Sequence, residues 1–88
     1  MASVKTLKRD LNYVMGDIIE AAYIHQVVNP DEDHSKSDQI VEDAISSFDN
    51  LIVEINKKNV ENPGAHFKNI SKELEVKAND LVTRLNEL

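Results

Sequence analysis

Two Asn-Pro pairs, Asn29-Pro30 and Asn62-Pro63, hold both prolines of this 88-residue chain and divide it into three stretches, each with helical periodicity. The residue before a proline is steered away from the α region, so each pair marks a helix boundary.

In the first stretch Leu7, Leu11, Val14, Ile18, Ala21, His25 and Val28 recur at alternating spacings of four and three, with Met15, Ile19 and Ala22 beside them. That is one wide apolar face of a helix. With Ser3 as N-cap, the spacing predicts a helix over about 3–28. The second stretch places Ile40, Val41, Ala44, Ile45, Phe48, Leu51, Ile52 and Ile55 within one arc, opposite Asp43, Asn50, Glu54 and Lys57. Ser35 or Ser37 can cap it, Asp38 and Glu42 suit its positive end, and Lys57 and Lys58 suit its negative end. It is predicted over about 36–59. In the third, Asn62 reads as an N-cap and Pro63 as the first helical residue, where the missing N–H costs nothing. A stripe of Phe67, Ile70, Leu74, Ala78, Leu81, Leu85 and Leu88, with Val82 at its margin, predicts a helix over about 63–87.

Helices of about 25 residues are roughly 37 Å long, so the three match as neighbours. The linkers, 29–35 and 60–62, are short enough to join antiparallel neighbours. The expected fold is all-α: a single domain over 1–88, an up-down-up three-helix bundle. The alternative is a helical hairpin completed by dimerisation.

Composition narrows the function classes. At 41% hydrophobic residues the chain closes one core, and without cysteine that core rests on apolar burial alone, with no disulfide or thiolate metal site. No run approaches the length of a membrane span, and Met1 to Asp10 lack a secretory apolar region, so a cytoplasmic location without membrane contact is expected. The net charge of −6 argues against nucleic acid. The excess acid is central, in Asp31, Glu32, Asp33, the second helix and Glu61. From Ser3 to Val28, by contrast, Lys5, Lys8 and Arg9 balance Asp10, Asp17 and Glu20.

Three histidine settings bear on chemistry. His25 falls within the first apolar stripe, and Glu20, the nearest helix-borne acid, projects from nearly the opposite face, so a hydrogen-bonded core or near-surface histidine is expected. Asp31, Asp33 and His34, with His25 at the same end of the bundle, are the candidate ligands for a weak metal or small-ligand site. Their spacing is not an EF-hand loop, and a solvated acidic turn is the simpler expectation. His66 invites comparison with histidine-phosphotransfer domains, which carry lysine three and glycine four residues after the reactive histidine. Here Lys68 stands two residues on and no glycine follows. No Glu-x-x-His pair, glycine-rich phosphate loop or nucleophile elbow is present, and no tryptophan forms the Trp-x-Gly turn of small helical secretion effectors. A non-enzyme without a cofactor is expected.

The remaining feature is an apolar surplus on the first helix. Tyr13, Ile24 and Val27 project opposite its main stripe, with Gly16 and Tyr23 at one margin. They read either as solvated surface residues or as a contact surface for a protein partner or a second copy of the chain.

Overall fold

The structure is a computed structural model and describes residues 4–88. Three helices, α1 (Val4–Val28), α2 (Ser35–Ile55) and α3 (Pro63–Asn86), pack pairwise against one another in a rod of 51 × 17 × 17 Å. The end of α1 meets the start of α2 through Gln26 and Ser37, and the end of α2 meets the start of α3 through Glu54 and His66. Neighbours are therefore antiparallel, and the expected three-helix bundle is the observed fold.

The core runs along the rod axis. Leu11, Met15, Ile40, Leu51 and Leu81 are its largest fully buried side chains, and Ile18, Ala22, Ala44, Ile55, Ile70 and Leu74 continue it. In α1 the buried line is Leu7, Leu11, Met15, Ile18 and Ala22, which corrects the expected stripe. Met15 and Ala22, placed beside the stripe by sequence, are its centre, whereas Ala21 and Val28 are exposed and His25 is half-buried. Spacings of four dominate this line, so it turns steadily around the helix and reaches Gln26 instead of His25. There the Gln26 amide donates to Ser37 Oγ (2.8 Å) and Asp38 Oδ1 (2.7 Å), partners that the neighbouring α2 supplies.

The ends also differ from expectation. The Ser3 cap lies outside the described residues. At the start of α2 neither expected serine is the cap. His34 holds that position without a side-chain bond, and Asp33 instead accepts from the Ser35 N–H (3.0 Å) and Ser35 Oγ (2.6 Å). Ser37 is buried one turn in and donates back to the His34 carbonyl (3.0 Å). α2 stops at Ile55 and not near 59, because the chain reverses at Asn59, whose φ of 59° suits asparagine better than most residues. Lys57 thus lies beyond the helix and pairs with Glu54 at 3.2 Å. At α3 the expectation holds: Asn62 accepts from the Ala65 N–H at 3.2 Å, with Pro63 at the first position.

Candidate interaction surface

The outer face of α1 points away from the core that its inner face helps to build. Val27 keeps 77% of its surface in water, Tyr13 65%, Ile24 54% and Tyr23 50%. A helix of this kind normally turns charged side chains to solvent. This one presents a shallow depression of about 420 Å³ lined by Gly16, Ile19, Tyr23, Ile24, Val27 and Val28. Glu20 is its one charged neighbour. A Cβ built on Gly16 would meet nothing within 4 Å, so the missing side chain is not required by packing within this chain. It leaves the notch open.

Four of the five predicted contact residues, Gly16, Tyr23, Ile24 and Val27, thus come together around one depression. Tyr13 is exposed on the same helix but does not line it. Sequence reasoning missed how far the apolar surface extends. A second depression of about 240 Å³ lies between α1 and α2, shares Gly16 and Ile19 with the first, and continues to Met15, Ile45 and Phe48. Ile45, expected inside the α2 stripe, is about half exposed here, at the edge where α1 and α2 diverge around this depression. A glycine within an apolar helix face was the available signal.

The other candidates do not converge. His25 Nε2 lies 3.4 Å from the Glu32 carboxylate, and Asn29 Nδ2 sits 3.4 Å from His25 Nδ1 while donating to the His25 carbonyl (3.0 Å). His34 Nε2 donates to the Asn29 carbonyl (2.9 Å), and Asp33 is engaged by Ser35. These Ser35 hydrogen bonds, side chain first and backbone second, hold the Asp33 carboxyl below the usual carboxylate range. Asp31 is exposed. Among the described residues no three acidic or histidine side chains gather as metal ligands. His66 Nε2 donates to the Glu54 carbonyl at 2.7 Å, so this ring closes the end of α2. Also among the described residues, no helix is long and apolar enough to cross a membrane.

A polar groove of about 480 Å³ separates α2 from α3. Arg84 spans it, 2.8 Å from Asp43 and 3.6 Å from Asp80. Two carboxylates thus share the Arg84 guanidinium, and Lys77 lines the same groove. The chain matches no family model, no curated protein and no solved structure.

Proposed function

We propose that this protein is a non-enzymatic interaction module that binds another protein, or a second copy of itself, through the outer face of α1. The observation that carries the reading is the apolar depression at Gly16, bordered by Tyr23, Ile24 and Val27 on a face that no other described residues cover. Tyrosine favours such places because its ring gives a large apolar contact while its hydroxyl stays wet. The polar side chains at the ends of the helices support the same reading from the other direction. Gln26, Asp33, His34 and His66 are all engaged in holding helix ends together.

The test is affinity capture of tagged protein from its native cells, with an untagged copy present and mass spectrometry as the readout. Wild type is expected to retain a protein partner or the untagged copy. Ile24→Asp with Val27→Asp is expected to lose it while circular dichroism reports unchanged helicity, since both side chains face water in the isolated chain. Retention by the double variant overturns the assignment of this face.

A further inference from the structure

Resting on that reading, we infer that the partner is a second copy of this chain, docked antiparallel along α1 across a two-fold axis that passes between Gly16 and Glu20. The spacing along the outer face comes first. Arg9, Tyr13, Gly16, Glu20, Tyr23 and Val27 follow one another at intervals of four, three, four, three and four, which is the a/d spacing of a helix-to-helix seam. All six are exposed, on the side opposite the buried line of Leu7, Leu11, Met15, Ile18 and Ala22.

Direction follows from charge. A parallel pair would set Arg9 on Arg9 and Glu20 on Glu20. Reversing one helix about the Gly16–Glu20 midpoint sets Tyr13 against the partner's Tyr23, Gly16 against the partner's Glu20, and Arg9 over the partner's Val27. The arginine stem can then lie on valine while its head stays in water. The same reversal brings the basic start of α1, with Lys5, towards the acidic turn at Asp31 and Glu32 of the other copy, twice by symmetry. Arg9 is free to adjust, since it is 61% exposed and held only at 3.8 Å by Asp10. The acidic residues of α1 match its basic ones, so two chains of −6 meet along a helix without net charge.

Gly16 gains a role as well: glycine within a helix costs about 1 kcal/mol relative to alanine, and close approach of a second backbone would account for it.

Sedimentation equilibrium on the purified full chain reads the oligomeric state, and single-cysteine variants read direction cleanly because the native chain has no cysteine. A dimer is expected, weakened about 100-fold or more by Ile24→Lys/Val27→Lys, because both apolar contacts are lost and the lysine at 27 meets the partner's Arg9 with like charge. Gly16→Ala is expected to weaken it as well while raising the melting temperature of the monomer. Under mild oxidation, a mixture of Arg9→Cys and Val27→Cys is expected to form a disulfide-linked pair that neither variant forms alone. Self-linking of each variant would establish a parallel pair and overturn the inference. A monomer at all concentrations would also overturn it. The broader reading survives that second outcome if capture from cells still finds a different protein that the double aspartate variant loses, and falls with it if nothing is captured.

Discussion

The groove between α2 and α3 and the depression on α1 are similar in size, about 480 and 420 Å³, and differ in chemistry. The first sets Asp43, Ser46, Asn50, Lys77, Asp80 and Arg84 beside Val76 and Leu81 and is bridged by the Arg84 guanidinium. The second is walled by tyrosine, isoleucine and valine around a missing side chain. A polar groove in contact with water is complete as it stands, because solvent satisfies what the ion pairs do not. An apolar one remains in contact with water at a cost that scales with its area, and a second surface removes that cost. Volume therefore says little about where a partner would sit, and wall chemistry says much more.

The sharpest way to break this contrast is to compare the two faces of α1 itself. Leu11→Ala empties a fully buried site and is expected to cost about 2–5 kcal/mol, a large part of the stability of a domain this small. Ile24→Ala, on the outer face, is expected to change the stability of the dilute monomer by no more than about 0.5 kcal/mol. Urea denaturation of both variants checks the difference. At higher protein concentration the cost of Ile24→Ala should grow, because binding between native chains adds to apparent stability by mass action. A large, concentration-independent loss in Ile24→Ala would mean that this face belongs to the folded core.

The helices and their order were legible because apolar periodicity and the two Asn-Pro pairs are local signals. The helix faces were legible only in part. Leu7, Leu11 and Ile18 were expected inside and are inside, but Val28 was expected inside and is 70% exposed. Which residues at the margin of a wide stripe become buried depends on where the neighbouring helix starts. Here that is decided by Ser37 and Asp38, twelve or so residues further along the chain, which receive Gln26. The outer patch could be read because Tyr13, Ile24 and Val27 project opposite the main stripe, with Gly16 and Tyr23 at one margin. Its continuation to Ile45 could not, since it depends on the register in which α2 lies against Gly16.

Two intermediate effects sharpen the comparison, one at the end of α1 and one at its middle. Gln26→Ala removes the donor to Ser37 and Asp38 and is expected to cost about 1 kcal/mol or less in thermal or urea unfolding, since one of the two hydrogen bonds lost is part-buried and the other exposed. Ser37 keeps its bond to the His34 carbonyl, which limits the loss. Gly16→Ala has the opposite sign. Its new methyl meets no atom within 4 Å, and alanine is the better helix former, so the monomer should gain about 0.5–1 kcal/mol and melt several degrees higher. A destabilised monomer would show that this part of α1 is more tightly surrounded than its open depression implies.

The smallest effect tests the polar groove. Asp43 accepts from Gln39 Nε2 (2.9 Å) at one oxygen and from Arg84 Nη1 (2.8 Å) at the other, and these bonds hold its carboxyl below the usual carboxylate range. A carboxyl whose value is lowered on folding adds stability above its unfolded value, near 4, and that contribution disappears as pH falls through the folded value. Asp43→Asn should therefore cost about 0.5 kcal/mol near pH 7, discounted because the pair is well exposed, and the gap from wild type should narrow as the solution is acidified below about pH 4. Salt separates the two partners: raising ionic strength should shrink the share that comes from Arg84 and leave most of the share that comes from the uncharged Gln39 amide. A gap that stays constant with pH would mean that the asparagine disturbs packing instead of removing a charge. A gap that narrows as expected would show that the chain itself supplies the partner for Asp43 in this groove, whereas the apolar side chains of the α1 outer face have no such partner among the described residues.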